Sequence, residues 1–142
     1  MSILELAEKT NQTECLFEIT PEVYRAFQAC SGDMNPLHTD EGFAKQKGFP
    51  TCVMYGNILN AFVSFFVGMA LPTKDVMIQA QDINYRKPVF MNDKVRMAAV
   101  VDTVSESVNV IVYKYKFYRI IAPKDVLVAN GHVQVGLLNS KL

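Results

Sequence analysis

Residues 55–71 constrain the fold of this chain more than any other segment. They are apolar on nearly every side, are interrupted only by Asn57, Asn60 and Ser64, and end at Pro72. A helix of this composition is predicted to be buried almost all round. Because a membrane span needs about 20 apolar residues, this shorter, interrupted segment predicts a central helix wrapped by other elements and no contact with a membrane.

Segments with the composition of strands follow the predicted helix. Four of them are rich in Val, Ile, Tyr and Phe with turn formers between them. They span residues 76–85, 95–103, 108–121 and 126–138. A further strand is predicted before the helix, at residues 13–19. One early strand, then helices, then a run of strands imply an α+β domain whose antiparallel sheet wraps around a central helix. The 142 residues show no shift of composition, so we expect one domain over residues 1–142.

The region between the first strand and the central helix predicts two short helices and a loop. Thr20-Pro21 supplies an N-cap and a first-turn proline, and Gly32 ends the helix that begins there. Residues 31–40 are dense in turn formers and are predicted to form a loop. A brief helix is expected after this loop and ends near Gly48.

The charge and cysteine content argue against several classes of function. The chain has 14 basic and 14 acidic residues without a charge run, which argues against nucleic acid as a partner. Cys15, Cys30 and Cys52 are odd in number and far apart, so we expect free, mostly buried thiols and no metal site. The first residues carry early acids and no sustained apolar stretch, which predicts no signal peptide and a cytoplasmic location.

The three polar residues of the central helix form a narrow stripe. Asn57, Asn60 and Ser64 are spaced i, i+3 and i+7, so their side chains share one face. Buried polar groups must form hydrogen bonds to protein, water or a ligand. The stripe therefore predicts either a ligand cavity along the helix or hydrogen bonds to the backbone of the surrounding sheet.

Asp33 and His38 are the candidate catalytic residues. They lie five residues apart on the predicted loop. A carboxylate and an imidazole side by side can share the work of moving a proton to and from a substrate, and free histidine titrates near neutral pH. Considered alone, an aspartate and a histidine on a loop are more often a turn cap and a surface imidazole. The two residues by themselves leave both interpretations open.

The sequence around this pair resembles a known family. Residues 33–38, Asp-Met-Asn-Pro-Leu-His, resemble the Asp-x-Asn-Pro-apolar-His motif of the MaoC-like dehydratases, which include the (R)-specific enoyl-CoA hydratases. Residues 55–57, Tyr-Gly-Asn, stand where that family commonly has His-Gly-Met. The likeness extends over most of the chain, through Ala44, Gly48-Phe49, Ser64, Leu71-Pro72, Lys87-Pro88-Val89-Phe90 and Asp93-Lys94-Val95.

The resemblance implies a hot-dog fold, in which an antiparallel sheet wraps around a long central helix, and it implies a homodimer. It also implies a hydratase/dehydratase that interconverts trans-2-enoyl and (R)-3-hydroxyacyl thioesters of coenzyme A or an acyl carrier protein, without a cofactor. Asp33 and His38 would then flank the enoyl carbons and position a water between them. The alternatives are a hot-dog acyl-CoA thioesterase and a non-catalytic subunit that binds acyl thioesters.

The resemblance further implies substrate-binding residues on the central helix. Attack at the β carbon makes an enolate-like oxygen, and the resemblance points to the Gly56 amide as its donor, at the positive end of the helix. A glycine at this position could equally be the N-cap of the helix. Tyr55, Asn57 and Ser64 are expected near the substrate, with Tyr55 at the pocket mouth in place of the family histidine. Asn57 and Asn60 indicate a shorter or more polar acyl group than a long-chain tunnel would take.

Overall fold

The structure, a computed structural model, describes residues 1–139 and contains one five-stranded antiparallel sheet. The strands pair in the order β1-β3-β4-β5-β2, and every pair is antiparallel. Their bounds are β1 (Gln12–Glu18), β2 (Val76–Tyr85), β3 (Lys94–Ser105), β4 (Val110–Arg119) and β5 (Val126–Leu137). All five predicted strands are therefore present, with ends that differ from the predictions by at most two residues.

Five helices precede the second strand. Their bounds are α1 (Ile3–Lys9), α2 (Pro21–Ser31), α3 (Pro36–Thr39), α4 (Glu41–Gln46) and α5 (Ile58–Phe65), and α5 continues into a π-helical turn (Phe66–Ala70). No helix within residues 1–139 is both long and apolar enough to cross a membrane. The predicted α+β class, with the sheet packed around a central helix, is confirmed.

The core lies between α5 and the face of the sheet that it covers. Strand β4 shows why, because Ile111, Tyr113, Tyr115 and Phe117 are buried while Lys114 and Lys116 between them are exposed. This period of two presents one apolar face to the helix.

Two aromatic contacts fix α5 across the width of the sheet. The Phe66 ring meets the Tyr113 ring of β4 edge to face, with 5.1 Å between centroids. The Phe62 ring stacks on the Phe17 ring of β1 at 4.2 Å. Such aromatic pairs each contribute about 1 kcal/mol beyond the area they bury. The helix is therefore held against both the middle and one edge of the sheet.

The prediction that the central helix is buried almost all round is wrong. One side of α5 packs on the sheet, and the opposite side is open. Phe65 is 48% exposed and Met69 is 61% exposed, and Ala61, Ser64 and Gly68 are exposed beside them. The sheet covers only one side of the helix, so a segment that is apolar on every side leaves an apolar face uncovered in the single chain.

Helix α1 was not expected, although Ser2 and Glu5 form a capping box there, with the Glu5 amide donating to Ser2 Oγ at 3.1 Å. Two further expectations need correction. The predicted loop over residues 31–40 contains the one-turn helix α3, because Asn35 and Pro36 provide its N-cap and first position. The three cysteines are free as predicted, but none is buried: Cys15 and Cys52 are half-buried and Cys30 is exposed.

Replacing Gly131 with alanine should break the pairing of β5 with β2. A Cβ at this position would overlap the backbone carbonyl oxygen of Asp82 on β2, and it would lie 2.8 Å from the Tyr115 hydroxyl. We expect Gly131→Ala to lower the free energy of unfolding by about 3 kcal/mol or more, measured by urea denaturation.

Gly136→Ala on the same strand is the matched control. Its Cβ would meet the side-chain end of the exposed Gln79 rather than backbone, and that side chain can swing away. We expect a loss of about 1 kcal/mol or less. Equal losses for the two variants would contradict the proposed importance of close strand approach at Gly131.

Candidate active site

A cavity of about 540 Å³ opens beside the start of α5. Its walls come from α2 and the loop after it, from α3, from the turn that leads into α5, and from the segment that follows β2. Five of the six predicted site residues line it: Asp33, His38, Tyr55, Gly56 and Asn57. The fold therefore brings the predicted residues of two stretches of the sequence, 33–38 and 55–57, to the same cavity.

Ser64 is not among the residues that line this cavity. It lies more than one turn further along α5, on the exposed face of the helix. Its predicted contact with a substrate stays a prediction, which the single chain does not place at the cavity.

His38 is held in one orientation by its ring and by its backbone. Its Nδ1 lies 2.6 Å from the carbonyl oxygen of Val53. A carbonyl oxygen can only accept, so Nδ1 must carry the hydrogen, and in the neutral ring Nε2 is then the nitrogen with the free lone pair. The Leu37 carbonyl also accepts from the Val53 amide, at 3.1 Å, which ties α3 to the same segment. His38 is thus prepared to accept a proton at Nε2.

Asp33 is both a turn residue and a residue of the cavity wall. One of its carboxylate oxygens, Oδ1, accepts a hydrogen bond from the Asn35 amide at 3.0 Å, which is the turn-capping role expected of a loop aspartate. Among residues 1–139 the other oxygen, Oδ2, has no hydrogen-bond donor. One carboxylate oxygen therefore shapes the loop while the other is left for a ligand, so the turn-capping role does not exclude a catalytic one.

Two buried tyrosines, Tyr24 and Tyr55, form hydrogen bonds to the backbone of His38 and Asp33. The Tyr24 hydroxyl donates to the His38 carbonyl oxygen at 2.6 Å, and it also lies 3.3 Å from the Val53 carbonyl oxygen. The Tyr55 hydroxyl donates to the Asp33 carbonyl oxygen at 2.5 Å, and its ring stacks on the His38 imidazole with 4.2 Å between centroids. Sequence reasoning missed Tyr24, and only the tertiary contact reveals its role.

The environment keeps the Tyr24 hydroxyl protonated. Burial raises its pKa well above the ordinary value, and the nearby Cys52, Tyr55 and Asp33 add to the increase. A tyrosine that retains its proton remains a hydrogen-bond donor, here to the His38 carbonyl oxygen at the shorter of the two distances. Burial also raises the pKa of the Cys52 thiol, which disfavours the thiolate that a nucleophile would need.

Gly56 precedes α5 and offers an unpaired amide to the cavity. The N-cap is Asn57, so the alternative that Gly56 is itself the cap is wrong. Among residues 1–139 the Gly56 N–H has no acceptor, as expected for an amide at a helix start. The Tyr85 ring packs against this glycine so closely that a Cβ would lie 2.8 Å from Tyr85 Cε1. The residue must be small for this packing, and its amide is free to meet a substrate oxygen.

The two asparagines of the polar stripe accept hydrogen bonds from side chains of β2. The Tyr85 hydroxyl donates to Asn57 Oδ1 at 3.1 Å, and Gln81 Nε2 donates to Asn60 Oδ1 at 2.8 Å. The two asparagines are joined to each other by a hydrogen bond of 2.9 Å. The expectation of bonds to sheet backbone is thus wrong for these residues, while Asn57 does line the cavity as the other expectation requires.

Two cations lie beside the cavity. Arg86 and Lys87 are exposed and follow β2, and both line the cavity wall. Arg86 Nε donates to Asn130 Oδ1 at 3.0 Å, and within residues 1–139 the two terminal nitrogens of its guanidinium form no hydrogen bond. Within residues 1–139, His, Cys, Asp and Glu side chains form no group of three or more that could hold a metal ion.

Comparison with solved structures assigns the fold. The (R)-hydratase from Aeromonas caviae involved in PHA biosynthesis superposes with a TM-score of 0.79 and 25% sequence identity, over 89% of this chain and 93% of that one. The antiparallel sheet around α5 is therefore a hot-dog fold, as predicted. This chain belongs to the MaoC-like domain family, whose model matches residues 5–120.

Curated proteins similar to this chain include a hydratase and a dehydratase by name. An (R)-specific enoyl-CoA hydratase from Aeromonas caviae is 35% identical over 81 residues, which is 57% of this chain and 60% of that protein. A mitochondrial 3-hydroxyacyl-[acyl-carrier-protein] dehydratase from Arabidopsis thaliana is 22% identical over 83% of this chain and 70% of its own length. The chain spans 60% of the Aeromonas protein and about half, 51% and 52%, of two further relatives.

The close packing of Gly56 against Tyr85 can be tested by a double-mutant cycle. We expect Gly56→Ala alone to lower the free energy of unfolding by about 1 to 2 kcal/mol, because the added methyl group displaces the Tyr85 ring from its hydrogen bond to Asn57. In a Tyr85→Ala background the same change should cost almost nothing, as measured by thermal or urea denaturation. An equal loss of unfolding free energy in both backgrounds would show that Gly56→Ala does not act through the Tyr85 ring.

Proposed function

We propose that this chain adds water to trans-2-enoyl thioesters to give (R)-3-hydroxyacyl thioesters, and that it catalyses the reverse dehydration. The observation that carries the proposal is the bond from His38 Nδ1 to the Val53 carbonyl oxygen, which leaves Nε2 free in a cavity that Asp33 and Gly56 also line. The Aeromonas and Arabidopsis relatives, a hydratase and a dehydratase by name, support the same reaction class.

The proposed mechanism gives each of the three groups one task. The Oδ2 atom of Asp33 accepts one hydrogen of the water and orients it. His38 Nε2 takes the other hydrogen as the water oxygen bonds to the β carbon. The two electrons of the carbon–carbon double bond move toward the thioester carbonyl, and the imidazolium then returns its proton to the α carbon. One water is thus added across the double bond, and the imidazole is regenerated.

The Gly56 amide stabilises the charge that this reaction creates. Electrons that move onto the thioester oxygen need a hydrogen-bond donor that is already in place, and the unpaired N–H at the start of α5 lies at the positive end of the helix dipole. A preorganised donor of this kind contributes roughly 3 kcal/mol to transition-state stabilisation. This supports a thioester carbonyl as the group bound beside Gly56.

The acyl group that we propose is short or polar. The Asn57 side chain and the Tyr85 ring both form part of the cavity wall, and they are joined by a hydrogen bond at the entry to α5. A long alkyl chain would have to pack against these polar groups. Arg86 and Lys87 at the same cavity support a carrier with phosphate groups, as in coenzyme A. The cytoplasmic location stays a prediction.

Hydration can be measured with short-chain and long-chain trans-2-enoyl-CoA esters, with enoyl absorbance and free thiol followed in parallel. We expect loss of the enoyl signal without thiol release, fastest with the short ester. Asp33→Asn and His38→Gln should each lower kcat by about 100-fold or more, because each removes a group that acts on the water.

Matched controls separate chemistry from charge and fold. His132→Gln replaces the only other histidine, a half-buried residue of β5 that does not line the cavity, and Asp102→Asn replaces an exposed carboxylate of β3. Both should keep wild-type kcat. Thiol release would instead identify a thioesterase, and silence in both signals with every ester would leave a non-catalytic acyl-thioester subunit as the remaining function.

We further propose that the working protein is a homodimer. Strand β2 lies at an edge of the sheet and, within residues 1–139, pairs only with β5. The open edge of β2 leaves backbone groups unpaired, and the exposed side chains of Phe65 on α5 and Met69 on the π-helical turn leave an apolar surface uncovered in a single chain. A symmetric pair of chains would cover it, and two-fold dimers are the commonest oligomers.

The dimer can be tested by light scattering coupled to size-exclusion chromatography. We expect twice the chain mass of 16.0 kDa for the wild type. Met69→Glu should shift the protein toward the mass of one chain, because a carboxylate on this face would be buried without a partner. Leu16→Glu, on the opposite edge strand and 70% exposed, should leave the mass unchanged. A monomeric wild type would overturn the proposal.

A further inference from the structure

We propose that Tyr55 is a positioning residue that aligns both members of the Asp33 and His38 pair. The inference rests on the proposed function, since it assigns a role relative to that pair. Its hydroxyl holds the backbone of Asp33, and its ring holds the plane of the His38 imidazole. This differs from the role at the pocket mouth that the sequence indicated for Tyr55.

The Tyr55 side chain is itself fixed by packing, so it can fix the position of the groups that it contacts. It is only 2% exposed, and its ring is enclosed by three others: Tyr24 and Phe27, each 5.0 Å away between centroids, and His38 at 4.2 Å. The angle between the Tyr55 and His38 rings is 30°, which is a stacked arrangement. A ring packed on these sides cannot turn without displacing its neighbours, so the position of its hydroxyl is fixed.

Asp33 depends on Tyr55 more than His38 does. The other hydrogen bonds of Asp33 are local, since its amide donates to Ser31 Oγ and its carboxylate accepts from Asn35, each two residues away. Within residues 1–139, the bond from Tyr55, 22 residues along the chain, is the one hydrogen bond that joins Asp33 itself to the core. His38 has further anchors at Tyr24 and Val53. Loss of the Tyr55 hydroxyl should therefore release Asp33 and leave His38 in place.

The hydroxyl of Tyr55 is poorly suited to contact a substrate directly. Its single hydrogen is already donated to the Asp33 carbonyl oxygen. A substrate contact predicts that removal of the hydroxyl raises KM. A positioning role predicts that it lowers kcat with KM almost unchanged, because the water is misplaced while the thioester still binds.

The kinetic test uses Tyr55→Phe, which keeps the ring and removes the hydroxyl. We expect kcat for enoyl-CoA hydration to fall about tenfold with KM changed less than about twofold. In an Asp33→Asn background the same change should lower kcat by less than about twofold, because the residue acts through Asp33. Tyr113→Phe is the control: this tyrosine is also buried and its hydroxyl bonds to Thr10, far from the cavity, so kcat should stay at the wild-type value.

A second measurement does not need activity. The chain has two histidines, His38 and His132, so the imidazole proton resonances in an NMR spectrum can be assigned with the His38→Gln and His132→Gln variants. Stacking on Tyr55 should shift the His38 resonances upfield through the ring current. Tyr55→Phe should retain this shift, Tyr55→Leu should abolish it, and the resonances of His132, which has no aromatic ring stacked on it within residues 1–139, should not respond to either.

The outcomes separate this inference from the proposed function. If the wild type hydrates no enoyl thioester, the proposed function fails, and the role of Tyr55 toward a catalytic pair fails with it, whatever the NMR result. If the wild type is active, a raised KM at unchanged kcat in Tyr55→Phe, or a His38 resonance that is unmoved in Tyr55→Leu, overturns the inference. The expected kinetic and NMR results together support it.

Discussion

The packing of α5 on the inner face of the sheet is the contact on which the rest of the structure depends. Phe66 meets Tyr113 of β4, and Phe62 stacks on Phe17 of β1, so the axis of the helix is fixed relative to the strands. Because the axis is fixed, the turn at Gly56 is fixed as well. The cavity, the free amide and the tyrosine that supports the pair all lie at this end of the helix. The site is thus a consequence of how the core is packed.

The fold was largely predictable because its elements follow simple periodic patterns. The bounds of β2 match the predicted residues 76–85, and alternating burial along β4 follows from the spacing of its aromatic residues. What could not be predicted is which side of α5 the sheet covers. A segment that is apolar on every side contains no information about its orientation, so the open face with Phe65 and Met69 emerged only from the structure. Helix α1 was not predicted because a helix of seven residues is too short to show a clear periodic pattern of apolar residues.

Most of the residues of the candidate site could be predicted from the sequence, but Ser64 does not line the cavity, Tyr24 was not expected, and the hydrogen bonds that support the site could not be foreseen. A resemblance in sequence indicated Asp33, His38 and Gly56, and the fold brings all three to one cavity. The hydrogen on His38 Nδ1 depends on a carbonyl group 15 residues further along the chain. The support of Asp33 depends on a tyrosine 22 residues away. Contacts between distant segments leave no periodic pattern in a sequence, so these hydrogen bonds become visible only in the folded chain.

The bond between His38 and Val53 has a consequence for how the imidazole gains and loses a proton. Nδ1 donates to the same carbonyl oxygen whether the ring is neutral or doubly protonated, so the bond persists through both states. All exchange of protons then takes place at a single nitrogen, and the ring does not have to flip between accepting and releasing. Because Nε2 acts as the base in one direction and as the acid in the other, the same geometry serves the forward and the reverse reaction.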